Sequence, residues 1–327
     1  MSRSEQVLLC LADGRFHSGE ELAEQLDCSR SAIWKHIRQL RETTGLEVDA
    51  VTGRGYRLRK PLSLLQQSAV LQRLDSRQRA QLASVEVLGS VGSTNALAME
   101  NFPLMPGPAA AWFAEHQSAG RGRRGRHWVT PYAGSLAFSF AYRFELPLSA
   151  LGGLSIAAGA MLAQVLERHG LAQHQLKWPN DLLWQSRKIA GVLLEVFGET
   201  EGPASAVIGI GINTDLPQHQ AEAIDQPAVC LREAGVHVDR NALAGDLLAA
   251  SLEMCERFAD QGLKGFIEDW QRFDGCAGRQ VTLSSAARNI QGLALGIADD
   301  GGLRLRIDEH EQVFYGGEVS LRLGGAG

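Results

Sequence analysis

The chain has 327 residues, enough for two or three domains that each bury a core. With 45% apolar and 21% charged residues and no low-complexity stretch, it reads as a soluble globular protein and not as a disordered or collagen-like one. The net charge of −5 speaks against a nucleic-acid binder, but the average conceals a basic segment: residues 30–60 hold eight Lys or Arg against three Asp or Glu. Cys10, Cys28, Cys230, Cys255 and Cys276 lie far apart with no CxxC pair, which argues against a zinc site and a disulfide framework and fits a reducing cytoplasm. The start, Met1 to Asp13, has a six-residue apolar run, and the longest apolar stretch, Leu151 to Val165, is too short for a bilayer, so neither signal peptide nor membrane span is expected.

Ser18-Gly19-Glu20-Glu21 has the form of a capping box, so a short helix burying Leu22, Ala23 and Leu26 is expected. Asp27-Cys28-Ser29 turns the chain. Ser29 can then cap a second helix with Ile33, Ile37 and Leu40 on one stripe and Ser31, Lys35 and Arg38 on the opposite face. That is the layout of a recognition helix, apolar toward the domain and cationic toward a major groove. Val48, Ala50, Tyr56 and Leu58 suggest two strands around Thr52-Gly53-Arg54-Gly55, a wing-like hairpin with Arg54 at its tip. A solvated basic helix beside a surface hairpin is the plain alternative; the ordered succession of helix, turn, helix and basic hairpin favours DNA. Pro61 marks a boundary, and Leu62 to Leu82 reads as helical, either a linker helix or the first helix of the next domain.

A strand through Val85-Leu88 leads into Gly89-Ser90-Val91-Gly92-Ser93-Thr94-Asn95 and a helix to Asn101, an arrangement that suits an anionic or carbonyl ligand and equally suits ordinary capping. Gly120-Arg121-Gly122-Arg123-Arg124-Gly125-Arg126 matches G-x-G-x-x-G, so a Rossmann nucleotide sensor is the rival. A strand-like run, Ser135 to Phe144, follows where that fingerprint needs a helix. Four arginines interleaved with glycines fit a loop that folds over phosphate or carboxylate oxygens. Ser149 can cap a helix to His169. A strand then carries Leu176-Lys177-Trp178-Pro179-Asn180-Asp181, with Lys177 at its mouth, followed by a turn at Arg187-Lys188 and an apolar strand, Ile189 to Glu195, containing Gly191. In Val207-Ile208-Gly209-Ile210-Gly211-Ile212-Asn213 the alternating glycines imply a close approach to the backbone.

Four signals in order, Ser-Thr-Asn at 93–95, Gly-Arg-Gly-Arg-Arg-Gly at 120–125, Lys-Trp-Pro-Asn-Asp at 177–181 and Gly-Ile-Gly-Ile-Asn at 209–213, make the chain resemble the biotin protein ligase family. With the N-terminal module it is similar to the bifunctional ligases that also repress a biotin operon, over essentially its whole length. The resemblance implies an α+β multidomain chain: a winged helix-turn-helix over 1–60, a mixed α/β ligase domain on a β-sheet over 61–273, with 61–84 the linker-helix segment, and an SH3-like β-barrel over 274–327. It implies that Ser93, Thr94, Asn95, Gln117, Gly120, Arg121, Gly122, Arg123, Lys177, Gly191, Gly209 and Asn213 surround biotin and its adenylate. Lys177 and Arg123 would serve the chemistry, and Asp181 is the candidate for assisting deprotonation of the acceptor lysine. Ser31, Lys35, Arg38 and Arg54 would face DNA. ATP with Mg²⁺ held through phosphate oxygens, biotin as substrate and as biotinyl-5′-AMP corepressor, the biotin carboxyl carrier protein of acetyl-CoA carboxylase, operator DNA and an adenylate-dependent homodimer complete the implied set, with no membrane partner and no protein-held metal.

Residues 214–230 form a polar segment expected to order over the nucleotide, though Gln226-Pro227-Ala228-Val229 stands where relatives place an aromatic ring against adenine. Asp239 can cap a helix to Gln261, closed by Gly262, and Phe266 to Phe273 continues the helical pattern. From Arg279, short strands alternate with Gly-rich turns through Gly316-Gly317-Glu318-Val319-Ser320-Leu321, the barrel-like tail. The competing readings are a ligase with a vestigial N-terminal module, a biotin-sensing repressor without catalysis, and a lipoate-type ligase.

Overall fold

In a computed structural model, which describes residues 2–199, 201–216, 224, 226–285, 289–315 and 319–323, a helical N-terminal module leads into a seven-stranded sheet and then a five-stranded one. The module consists of α1 (Arg3–Leu11), α2 (Gly19–Gln25), α3 (Arg30–Thr44) and the antiparallel hairpin β1 (Val48–Val51) and β2 (Gly55–Leu58). The predicted capping box forms: Ser18 Oγ accepts from Glu21 N at 3.0 Å, and the Glu21 carboxylate accepts from Ser18 N at 2.8 Å. Ser29 caps α3, whose Ile33, Ile37 and Leu40 pack with Val7, Leu8, Leu11 and Leu22. Helix α1, legible in the sequence only as an apolar run, starts at a second capping box between Ser2 and Glu5.

Tyr132 of the central region completes this N-terminal core, and a buried clamp holds the segment that follows the hairpin. Arg240 pairs with Glu115 at 2.8 Å, both nearly inaccessible, and donates to the carbonyl of Ser63 while Glu115 accepts from Leu65 N. Asn241 donates to Leu64 O and accepts from Gln66 N. These bonds explain why residues 62–66 are not helical where a helix is predicted. Helix returns only as two short pieces, α4 (Gln67–Gln72) and α5 (Ser76–Ala80), because Asp75 caps a new helix by accepting from Gln78 N at 2.7 Å.

The sheet runs β3-β4-β5-β9-β8-β7-β6, with β3 (Leu82–Val91), β4 (Ala109–Gln117), β5 (Ser135–Phe144), β6 (His174–Lys177), β7 (Asp181–Trp184), β8 (Arg187–Gly198) and β9 (Ala204–Asn213). The β3–β4 pair is parallel, joined by the crossover helix α6 (Thr94–Asn101), and the pairs that follow are antiparallel. Strand alternation divides the apolar residues. Ala110 and Trp112 face α6 and Phe102, while Ala109, Ala111 and Phe113 face the main core under α7 (Leu154–Arg168) and α8 (Arg240–Gln261). Helix α7 begins four residues later than Ser149 predicts, because Gly153 at φ 81° provides the N-cap after a 3₁₀ turn over Leu148–Leu151. Counted with that turn, Leu148–Arg168 is long and apolar enough to cross a membrane by composition; 61% of its apolar window is buried inside the protein, as for a core helix.

Helix α9 (Ile267–Phe273) leads to β10 (Gln280–Ser285), β11 (Asn289–Ile297), β12 (Leu303–Ile307), β13 (His310–Phe314) and β14 (Val319–Leu323), an antiparallel sheet in the order β13-β12-β11-β10-β14. Val281, Leu283, Ala294, Ile297, Leu303 and Leu305 join the main core, and the Trp178 indole donates to Gly301 O at 2.8 Å. The tail is thus packed onto the central sheet. Residues 316–318 of its predicted last turn lie outside the described residues.

Candidate active site

Ser93 follows the end of β3 and caps α6 by accepting from Ala96 N, which turns the next two side chains across the sheet. Gln117 Oε1 accepts from both the Thr94 backbone N–H, at 2.8 Å, and the Thr94 hydroxyl, at 3.1 Å. Gln117 Nε2 donates to Thr130 Oγ1. The buried hydroxyl of Ser139 lies 2.7 Å from Thr94 Oγ1 and donates to Asn95 Oδ1 at 2.6 Å. Asn95 Nδ2 in turn donates to Glu195 at 3.0 Å. Beneath this chain of bonds runs β9. A Cβ at Gly209 would sit 2.8 Å from Asn95 Cγ, and one at Gly211 would sit 2.6 Å from Trp128 Nε1. The alternating glycines therefore let two polar side chains lie flat on the strand.

The arginine loop doubles back on itself. Trp128 N donates to Gly120 O and Gly122 N to Arg126 O, with Arg121 and His127 bridged antiparallel and Arg124 left-handed at φ 58°. Strand β5 follows, so the G-x-G-x-x-G motif lacks the helix a dinucleotide fold places there. Arg121 pairs with Glu195 at 2.7 Å, and Arg123 donates to Asn180 Oδ1 at 3.1 Å. Burial lowers the Arg123 pKa and the charge of Asp181 partly restores it.

The lysine motif forms a hairpin whose turn is residues 178–180, so Asp181 opens β7 opposite Lys177. The next turn falls at 185–186, and Arg187 and Lys188, predicted as that turn, belong to β8 because Lys188 pairs with both neighbours: its backbone meets Leu183 of β7 and Ala228. Asp181, its side chain 12% exposed, takes Lys188 Nζ at 2.6 Å and Lys177 Nζ at 3.3 Å. Burial alone would raise its pKa; Lys188 and then Lys177 outweigh that and lower it. Lys188 also stands 5.4 Å from the Trp128 ring centroid.

Ser93, Thr94, Asn95, Gln117, Arg121, Gly122, Arg123, Gly191 and Gly209 line one pocket with Trp128, Phe138, Asn180 and Lys188. Four predicted site residues stand outside its lining. Gly120 backs the loop against the Trp128 carbonyl, Asn213 braces Val229 O, and Lys177 and Asp181 sit behind Lys188. The sequence reading missed Trp128, Asn180, Lys188 and Glu195; Gly211, which can only be glycine under a flat ring, was the available signal for Trp128. On α3, Ser31, Lys35 and Arg38 are exposed as predicted, with Arg38 paired to Glu42 and Ser31 to Ser29. Trp34, 54% exposed, shares their face. Arg54 is exposed on the hairpin and lies over the Phe16 ring at 4.2 Å. Residues 217–223 and 225, inside the segment expected over the nucleotide, lie outside the described residues.

Polar and hydrogen-bonding at the Asn95 end and cationic at the Lys188 end, the pocket has the groups to hold a small carboxylic acid and phosphate oxygens, as in an acid-activating enzyme, here joined to a helix-turn-helix module. Family models match in the same order: an HTH domain over residues 3–57, the biotin/lipoate A/B protein ligase family over 90–213, and the biotin protein ligase C-terminal domain over 277–322. The chain is 39% identical to the bifunctional ligase/repressor BirA of Escherichia coli, over 97% of this chain and 96% of that one. It is 34% identical to the biotin–[acetyl-CoA-carboxylase] ligase of Paracoccus denitrificans, covering 71% of this chain and 98% of that one. The biotin protein ligase of Aquifex aeolicus, solved with biotin and ATP, superposes with a TM-score of 0.62 at 28% identity, covering 74% and 99%. The chain belongs to the biotin protein ligase family, in its bifunctional ligase/repressor branch.

Proposed function

We propose that this protein joins biotin to ATP, forming biotinyl-5′-AMP and pyrophosphate, and then passes the biotinyl group to a lysine of the biotin carboxyl carrier protein of acetyl-CoA carboxylase. The observation that carries this is the polarity of the pocket. The Lys188 ammonium lies over Gly191 and Asn95 lies over Gly209, which pairs with Leu193 two residues further along β8, an offset of roughly 7 Å at about 3.3 Å per residue. That offset sets the neutral Thr94-Asn95-Gln117 end, suited to a cyclic urea, beside the Arg123 and Lys188 end, suited to a carboxylate meeting an α-phosphate. Two anions repel as they approach, and fixed ammonium and guanidinium groups lower that barrier most when they are already held in place.

Asp181 does the holding. A carboxylate between two ammonium groups has little proton affinity, so we assign it to positioning Lys188 and Lys177 in preference to deprotonating the acceptor lysine. Trp128, whose buried indole N–H has no partner among the described residues, is a ready donor to a bound oxygen. Mg²⁺ would arrive on the ATP phosphates; among the described residues no three His, Cys, Asp or Glu side chains gather to hold it. The three modules divide the work, with 1–60 reading DNA through Ser31, Lys35, Arg38 and Arg54, 61–273 carrying the chemistry, and 274–327 supplying a tail whose Val281, Leu283 and Leu303 join the main core. Adenylate-bound homodimers would present two such helices to a palindromic operator and so repress biotin synthesis.

The test is biotin-dependent pyrophosphate release from MgATP, with sedimentation run in parallel. Release that requires biotin supports the enzyme; binding of biotin and DNA without release leaves a sensing repressor. A shift toward dimer on adding biotin and MgATP supports the switch, and its absence removes it.

A further inference from the structure

Glu195 is a carboxylate on β8 that the mechanism does not use, yet two site residues end on it. Its Oε1 pairs with Arg121 at 2.7 Å, and its Oε2 accepts from Asn95 Nδ2 at 3.0 Å. The Asn95 amide has one satisfied orientation. On one side lie two acceptors, Glu195 and Leu193 O, and on the other the Ser139 hydroxyl donates to Oδ1. Flipping the amide would aim its oxygen at two acceptors, one of them charged. The Gly209 backbone presses against the same amide, which leaves it no room to move aside.

Arg121 raises a second question that Glu195 answers. It lines the pocket near the uncharged Asn95 end, where a free guanidinium would draw the carboxylate of an entering acid to the wrong place. Paired to Glu195 it carries no net charge into that end, and the arginine loop is tied to β8 at the same time. Asp181 plays the matching part at the other end, but there two cations share one carboxylate and a net positive charge remains.

Resting on the ligase reading, we propose that Glu195 is a positioning residue that makes the pocket directional: by neutralising Arg121 and fixing the Asn95 amide, it reserves one end for the neutral ring of the acid and leaves the carboxylate to the Lys188 end. It touches neither substrate.

The test is steady-state pyrophosphate release by the full chain, comparing Glu195→Gln with wild type. Glutamine keeps the size and an acceptor but loses the charge. The expected result is a KM for biotin raised about tenfold or more, consistent with losing a charge-assisted bond, with KM for ATP within about twofold and biotin binding by calorimetry weakened to match. In an Arg121→Ala background the same change should lose most of its effect. If Glu195→Gln lowers the melting temperature, Glu195→Asp, which keeps the charge and shortens the reach, reads the same split between the two KM values. An unchanged KM for biotin, or an equal rise in both KM values, overturns the proposal. A wild-type protein that releases no pyrophosphate with biotin sinks the ligase reading and takes this role with it.

Discussion

Replacing Gly209 by alanine tests the packing logic of the site without removing any polar group. The new methyl would stand 2.8 Å from Asn95 Cγ and 3.0 Å from its Nδ2, inside contact distance, against a side chain that is 4% exposed and bonded on both sides. Backbone cannot yield in the middle of β9, which is paired to β5 and β8 along its whole length, so Asn95 has to turn away. That movement breaks the bonds to Ser139 and Glu195. The bond to a carboxylate is worth about 1.5–3 kcal/mol, and about 1.4 kcal/mol is a factor of ten. Biotin affinity should therefore fall by roughly 10- to 150-fold. Calorimetric titration of biotin into Gly209→Ala measures it, with KM for ATP as the control. Affinity within about twofold of wild type would refute the idea that the glycine exists to seat Asn95.

Lys188→Ala should lower the rate of adenylate formation by about 10²–10³, the usual cost of deleting one preorganised donor, and it should do so at least as strongly as Lys177→Ala, since Lys188 lines the pocket and Lys177 stands behind it; single-turnover pyrophosphate release compares them. For Asp181 the pH sign follows from its lowered pKa: the folded state binds this proton more weakly than the unfolded chain, so the group stabilises above the ordinary carboxylate pKa of about 4 and that stability is lost as pH falls from there through the lowered folded value. Denaturant melts of Asp181→Asn should show a shallower loss of stability below about pH 4. Glu115→Gln leaves the Arg240 guanidinium buried without its counter-charge and should cost about 3–5 kcal/mol in urea unfolding, with earlier proteolysis at residues 62–66.

Local chemistry made much of this molecule legible. The Ser18 capping box, the apolar stripe of α3 and the hairpin that follows are short-range features, and each sits where its residues put it. The non-helical 62–66 segment was not legible, because what keeps it from being helical is Arg240 and Asn241, more than 170 residues away. The pocket shows the same divide. Ser93, Thr94, Asn95 and the arginine loop stand out as motifs, whereas Lys188, Trp128 and Glu195 gain meaning only when β8 is laid beside β7 and β9. Asp181 stood out as well, but its part depends on Lys188, which the sequence reading placed in a turn.

The central claim is that biotin, and not lipoate, is attached to a carrier. Purified protein, MgATP, radiolabelled biotin and an apo carrier domain would be incubated together, and label followed into protein with either unlabelled acid as competitor. Incorporation that unlabelled biotin blocks and lipoate does not is the expected result; no incorporation, or equal competition by lipoate, would contradict it.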